Sequence, residues 1–264
     1  MDLSVCVVSM NHKDVLIDCL DSIYKNYPKR YSLEIIVVDN CSEDGTRELL
    51  EQYSKRYNNL KLAFNSKNRN FSENNNKAIL QSTGKYLLIL NPDTIVHQNT
   101  LDYMLDYLKD NESVGAATCK LTYADGSFQE SCRSFLKIKY QISSRLKTWG
   151  LITSKRFYNE YMMSKESEIV PKEVDWILGA CMFIKRKVID KVGLFDDRFV
   201  LYFEDTDLCY RIKQAGWKVM YVPNVSIVHL YARTGAKRMF SKAAFIQLYT
   251  LLLFYLKHYL KILK

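Results

Sequence analysis

The chain has 264 residues, 48% of them hydrophobic and 25% charged, with four prolines, nine glycines and a net charge of +9. That length buries a sizeable core in one large domain or two small ones, and the composition excludes a disordered or collagen-like protein. The charge is uneven: residues 131–165 hold eight Lys/Arg against Glu160 alone, and residues 231–264 hold seven against no acid. A basic patch on an acidic body points to an anionic partner, either a nucleic acid or a membrane surface.

The segment 3–9 (LSVCVVS) is a β-branched apolar run and predicts a first buried strand. The opening MDLSVCVVSMNHKD has no basic n-region or small-residue cleavage site before that strand, so a cytoplasmic location is expected. Apolar residues at Val15, Leu16, Cys19, Leu20 and Ile23 give 11–27 a helical period, and Pro28 closes it. The run 33–38 is a second buried strand ending in Asp39-Asn40. Ser42 is expected to cap a helix reaching residue 57, with Glu43 and Asp44 at its positive end. Residues 60–64 read as a third strand, followed by a polar loop, NSKNRNFSENNN, and a helix to residue 82. GKYLLILNPDT, residues 84–94, is then a central strand; Pro92, lacking an N–H, ends its ladder. Strand–helix alternation of this kind predicts an α/β protein with a doubly wound, mostly parallel sheet, Rossmann-like in plan.

Further on, a helix over 98–109 and a strand over 113–119 are expected, whereas 120–173 mixes basic and aromatic residues without a clean period. A strand-like run over 174–184 is broken by Gly179, and a short helix over 185–191 ends at Gly193. A helix over 205–215 stops at Gly216, strands are expected over 217–222 and 226–229 around Pro223-Asn224, and the last 23 residues look helical. The seven cysteines are scattered without C-x-x-C or zinc spacing and read as buried thiols of a reducing compartment.

Three acidic constellations fall at strand ends or helix starts. Asp39-Asn40 follows the second strand, where an acid either contacts a nucleotide or caps the next helix. Asp93 stands at the carboxyl end of the central strand, where open α/β sheets bind ligands and a carboxylate can hold a divalent metal; the plainer reading is a solvated turn. Glu204, Asp205 and Asp207 crowd beside Phe199, Tyr202 and Phe203. Such crowding raises a carboxylate's pKa and suits a general base, while Asp207 has Arg211 one turn on for a structural ion pair.

The stretch 174–230, VDWILGACMFIKRKVIDKVGLFDDRFVLYFEDTDLCYRIKQAGWKVMYVPNVSIVHL, resembles the second half of family 2 inverting glycosyltransferases of the GT-A fold. The likeness is greatest to the bacterial branch that includes rhamnosyltransferases of surface-polysaccharide synthesis. Ser9-Met10-Asn11, Val38-Asp39-Asn40 and LLILNPDT agree in the first half; Asn91-Pro92-Asp93 stands where the family usually has Asp-x-Asp. The resemblance implies a GT-A domain over 1–230, with a nucleotide-sugar half (1–95), an acceptor half (96–230) and a basic amphipathic helical tail (231–264). It implies Asp205, paired with Glu204, as the base, and Asp93 as the ligand of Mg²⁺ or Mn²⁺. Ser9, Asn11, Asp39, Asn40 and Asn91 would serve the donor, and Trp176, Gly179 and Ala180 would line the sugar pocket. His229 matches a histidine near the metal in some relatives, against the plainer reading of a satisfied strand-end histidine. Asn70-Phe71 and Ala78 depart from the family's usual glycines; Asn tolerates a left-handed backbone, so that loop is expected to survive.

The expected activity is transfer of a sugar, rhamnose first, from dTDP-rhamnose to a glycan or lipid-linked acceptor; a UDP-hexose donor is the alternative. A nucleotidyltransferase is disfavoured because no Gly-rich basic loop follows the first strand. Nucleic acid is disfavoured for want of any recognition signature. In the tail, fourteen uncharged residues lie between Lys242 and Lys257, short of the roughly 20 that span a bilayer. Phe245, Leu248, Tyr249, Leu252, Tyr255, Leu256 and Tyr259 form one apolar face, with Lys257, Lys261 and Lys264 on another. This predicts a helix lying on an anionic membrane surface, against packing on its own domain or in a homodimer.

Overall fold

Strand β1 (Leu3–Ser9) is apolar on both faces because both faces are covered, and the sheet is built outward from it. The computed structural model describes residues 1–135, 161–163, 165–230 and 242–262. After β1 come α1 (Lys13–Lys25), β2 (Leu33–Asp39), α2 (Thr46–Arg56), β3 (Leu60–Phe64), α3 (Phe71–Gln81) and β4 (Tyr86–Leu90). Then follow β5 (Thr94–Val96), α4 (Thr100–Asp110), β6 (Val114–Thr122), β7 (Phe128–Gln129), β8 (Cys132–Arg133), β9 (Lys172–Val174), β10 (Trp176–Ile177) and β11 (Cys181–Lys185). The chain continues through α5 (Arg186–Val192), α6 (Glu204–Gln214), β12 (Lys218–His229) and α7 (Lys242–His258).

The main sheet runs β3-β2-β1-β4-β11-β6-β12-β5, with β7 on β6 and β9 on β12; β8 and β10 form a separate pair. Pairings among β1 to β4 are parallel, as is β6 with β12, whereas β11 runs antiparallel to both β4 and β6. Alternate residues of each central strand enter different cores. Leu3, Val5, Val7, Leu88 and Leu90 pack with α1 and α4. Cys6, Ile36, Leu87 and Ile89 share the other core with α3, α5, α6 and α7. Burial on both faces is why these strands read as continuous apolar runs. All seven cysteines are free thiols, and all but Cys41 are buried.

Several local details differ from the sequence reading. The N-cap of α2 is Gly45, at φ 86°, and Asp44 just before it accepts from the Thr46 N–H at 3.1 Å. Ser42 instead accepts from the Asn11 N–H at 2.9 Å and ties two loops together. Asn70 has φ −74°, so no left-handed conformation is needed; it caps α3 in a reciprocal box with Glu73. Beyond Pro92 the chain resumes as β5. The expected pair of late strands is one, β12, whose irregularity at 223–225 lets Pro223 lie where the β6 ladder is broken. The basic stretch 131–165 falls mostly outside the described residues.

The tail helix has two faces, and one of them is part of the domain. Thr250, Leu253 and Phe254 are buried against α6 and the turn before it, with the Phe254 ring 5.8 Å from that of Phe203. Lys257, expected on an outward basic face, points inward. Its Nζ donates to Asp207 Oδ1 at 2.6 Å and to Asp196 Oδ2 at 2.7 Å, and His258 Nε2 also meets Asp207 at 2.6 Å. Arg211 closes the network on Asp207 Oδ2 at 2.8 Å, the ion pair expected from the sequence.

Burial alone would raise the Asp207 pKa, but His258, Arg211 and Lys257 outweigh it and hold the carboxyl below its ordinary value. A depressed folded pKa gives stability that is present above the unfolded value and lost as pH falls through the folded one. Lys257→Met keeps the aliphatic stem and removes the charge from the buried Asp207 and the partly buried Asp196. It is expected to cost about 1–3 kcal/mol in urea unfolding at pH 7, with the difference shrinking below about pH 4.

Candidate active site

The carboxyl ends of β1, β2 and β4 lie side by side, at the crevice where the strand order turns from β1 to β4. Ser9 ends β1 and Asp39 ends β2, in register with each other. Ser9 Oγ and Asp39 Oδ1 are both buried without a hydrogen-bond partner among the described residues, two unpartnered polar atoms at one crevice. Asp39 Oδ2 accepts from the Ser42 N–H at 3.2 Å, so the acid also holds its own turn. Asn40 behaves differently. Its Nδ2 donates to Asn68 Oδ1 (2.8 Å) and Arg69 O (3.0 Å), and its Oδ1 accepts from Arg69 N–H (2.9 Å) and Asn65 Nδ2 (3.0 Å). With its polar atoms so engaged, Asn40 shapes the 65–70 loop. Asn11, at φ 54°, accepts from the Glu43 N–H at 2.8 Å and fixes the neighbouring rim.

At the end of β4 the antiparallel pairing of β5 with β12 sets His229 opposite Thr94. His229 Nε2 is 3.5 Å from Asp93 Oδ1 and 3.3 Å from Asn91 Nδ2, while its Nδ1 donates to the buried Gln129 Oε1 at 2.8 Å. That second bond fixes the ring so that Nε2 faces Asp93 and Asn91. Burial pushes the Asp93 pKa up, but the hydrogen bond and charge of His229 outweigh it, so the carboxyl is held below its ordinary value and ionised. One carboxylate oxygen and one imidazole nitrogen, converging in a crevice, suit a divalent ion whose other ligands are phosphate oxygens and water. Among the described residues no group of three or more His, Cys, Asp or Glu could hold a metal ion by itself. No sequence signal pointed to Gln129; only the β6–β7 pairing brings it here.

The turn between β10 and β11 joins this centre to α6. Asn91 N–H donates to Ala180 O at 3.0 Å, and Gly179 N–H donates to Asp205 Oδ2 at 3.1 Å. A Cβ on Gly179 would lie 3.0 Å from the Phe71 ring and 3.8 Å from Asp205 Cβ, so the close approach needs glycine. Trp176 is a buried wall; its Nε1 donates to Ser134 O at 3.1 Å, and Arg133 lies over its ring at 5.0 Å.

Entry into α6 is strained. Tyr202 (φ 68°) and Phe203 (φ 69°) are consecutive bulky residues in left-handed conformation, held there by the packing of Phe203. The turn delivers Glu204 and Asp205 into the interior. Burial raises the Asp205 pKa, opposed by the Gly179 and Thr206 N–H groups and the Arg133 charge; the net shift is upward. Glu204 is raised well above its ordinary value by burial and then by the charge of Asp205. Asp205 Oδ1 also accepts from Thr206 N–H at 2.6 Å, whereas Glu204 Oε2 has no partner among the described residues. The asymmetry puts the proton on Glu204 and the charge on Asp205.

The sheet order, the crevice and the acid pair define a GT-A nucleotide-sugar-dependent glycosyltransferase. Residues 2–248 match the family described as glycosyltransferase like family 2, and the chain belongs to it. It is 28% identical over 246 residues to the rhamnosyltransferase WbbL of Escherichia coli, covering 90% of this chain and 87% of that protein. It is 26% identical over 217 residues to an N-acetylglucosaminyl-diphospho-decaprenol L-rhamnosyltransferase of Mycobacterium tuberculosis, covering 78% and 69%. Among solved structures, the mannosyltransferase PcManGT from Pyrobaculum calidifontis, in complex with GDP-Man and Mn²⁺, matches with TM-score 0.63 at 20% identity, over 89% of this chain and 58% of that one. GalNAc-T7 with UDP, GalNAc and Mn²⁺ matches with TM-score 0.69 at 18% identity, over 87% and 43%. At these identities the structural likeness establishes the fold, and the chain spans 58% of the first solved protein and 43% of the second.

Because Glu204 is held neutral, its raised folded pKa stabilises the protein most below the unfolded glutamate pKa of about 4, and that contribution is lost as pH rises through the folded value. Glu204→Gln is expected to flatten this part of the stability–pH curve and leave the protein at least as stable at pH 8. Urea unfolding of both proteins from acid to alkaline pH measures it.

Proposed function

We propose that the protein is an inverting transferase that moves rhamnose from dTDP-rhamnose to a hydroxyl of a lipid-linked glycan, at the cytoplasmic face of a bacterial membrane during surface-polysaccharide synthesis. The observation that carries the chemistry is the buried Asp205, held by the Gly179 and Thr206 N–H groups beside Glu204, across the β10–β11 turn from the Asp93–His229 pair. The names of the rhamnosyltransferase relatives support the sugar, and the diphospho-decaprenol substrate in one of those names supports the acceptor class.

In this reading residues 1–95 bind the donor and 96–230 bind the acceptor. Ser9 and Asp39 offer their unpartnered oxygens to the nucleoside, while Asn11 and Asn40 hold the loops around it. Asp93 and His229 would hold Mg²⁺ or Mn²⁺, which when bound neutralises charge developing on the departing nucleoside diphosphate. Asp205 takes the proton of the acceptor hydroxyl as its oxygen attacks the anomeric carbon. Glu204, neutral, keeps a second negative charge out of the buried site. Gly179 orients Asp205, and Ala180 and Trp176 wall the sugar pocket. Attack from the side opposite the leaving group needs no covalent intermediate, so configuration inverts.

Asp205→Asn keeps the shape and removes the basicity. Turnover is expected to fall roughly 10²-fold or more, with donor affinity nearly unchanged. Near-native turnover in the purified variant would reject Asp205 as the base.

Donor choice is tested by thermal shift in Mn²⁺ with dTDP-rhamnose, UDP-glucose, UDP-galactose and UDP-N-acetylhexosamines. The largest stabilisation is expected from dTDP-rhamnose, reduced by Asp93→Ala or by EDTA. A larger shift with a UDP-hexose would replace rhamnose, and a shift indifferent to both Asp93→Ala and EDTA would reject the metal role.

A further inference from the structure

Helix α7 is apolar on two opposite faces, and the protein covers only one. Thr250, Leu253, Phe254 and Lys257 recur at spacings of three, one and three residues and are turned into the domain. Phe245, Leu248, Tyr249, Leu252 and Tyr259 recur on the other side and are 48–63% exposed. A helix apolar all round has partners all round. The inner partner is α6 with the loop before it, where Lys257 and His258 grip Asp207, two residues from Asp205 on the same first turn.

We infer that the outer face of α7 seats on an anionic membrane surface, and that the Asp207 clamp makes this docking rigid with respect to the candidate catalytic helix. The inference deepens the lipid-linked acceptor reading, on which it rests for the location of that acceptor. Three observations favour lipid over a second protein. Residues 231–264 carry seven basic residues and no acid, a charge that suits anionic headgroups, and Lys257 alone of the described ones is engaged inside the domain. The outer face mixes Phe and Leu with Tyr249 and Tyr259, whose rings suit the headgroup boundary. No helix among the described residues is long and apolar enough to cross a membrane, so contact is along the surface. Two further exposed apolar residues, Val200 and Leu201, stand in the turn that leads into α6, beside the acid pair.

The test is flotation of the full chain with vesicles of phosphatidylcholine alone and of phosphatidylcholine with phosphatidylglycerol. Native protein is expected to float with the anionic vesicles, and less so as salt is raised. Leu248→Glu combined with Leu252→Glu should weaken binding at least about tenfold, with an unchanged melting temperature, since both side chains face outward. Turnover on a water-soluble acceptor should be retained in this variant, while Asp205→Asn should lose turnover and still float. That pairing separates a failure of the membrane inference from a failure of the catalytic reading. Folded native protein that floats no better than the double variant would overturn the inference. So would a native dimer that the double variant dissociates, with no vesicle binding.

Discussion

The antiparallel insertion of β11 between β4 and β6 is the constraint on which the site depends. Parallel pairing alone would align Ser9, Asp39 and Asn91 at one crevice and leave the acid pair elsewhere. Because β11 runs the other way, its entering turn lies at the end where β4 exits, and Asn91 bonds to Ala180. The adjacent Gly179 then bonds to Asp205. One main-chain bond and one from a main-chain N–H to a carboxylate thus tie the end of β4, beside Asp93, to Asp205, which suits the proposed displacement.

Electrostatics then divides the acids by environment. Asp93 and Asp207 face positive or hydrogen-bonding neighbours and lie below their ordinary range. Glu204 and Asp205 share a dry pocket and lie above it. Within that pair the N–H groups of Gly179 and Thr206 meet only Asp205, which favours the charge there over Glu204. The strained Tyr202-Phe203 turn is maintained by packing under α7, so the tail helix contributes to the placement of the acids.

Helix α7 explains how one segment serves two surroundings. Its inner face carries the charges that satisfy Asp196 and Asp207, while its outer face carries none of the described charged side chains except those at its end. A purely amphipathic helix would leave the domain when it leaves the membrane; this one is anchored by buried ion pairs, which are expensive to break.

The continuous apolar runs of β1, β2 and β4, the helical periods between them and the order of strand ends were legible in the sequence, because burial on both faces and a 3.6-residue period are local properties. Asp39, Asp93, Glu204 and Asp205 stood out for the same reason, each at a strand end or helix start. The partnerships were not legible. Gln129 behind His229, Asn40 within the 65–70 loop, Gly179 under Asp205 and Lys257 on Asp207 join residues far apart in the chain, with no spacing to betray them. The apolar face of the tail could be read from periodicity alone, but which face turned inward goes with Asp207 and Asp196, carboxylates that needed a cation. That demand exists only once the chain has folded around them.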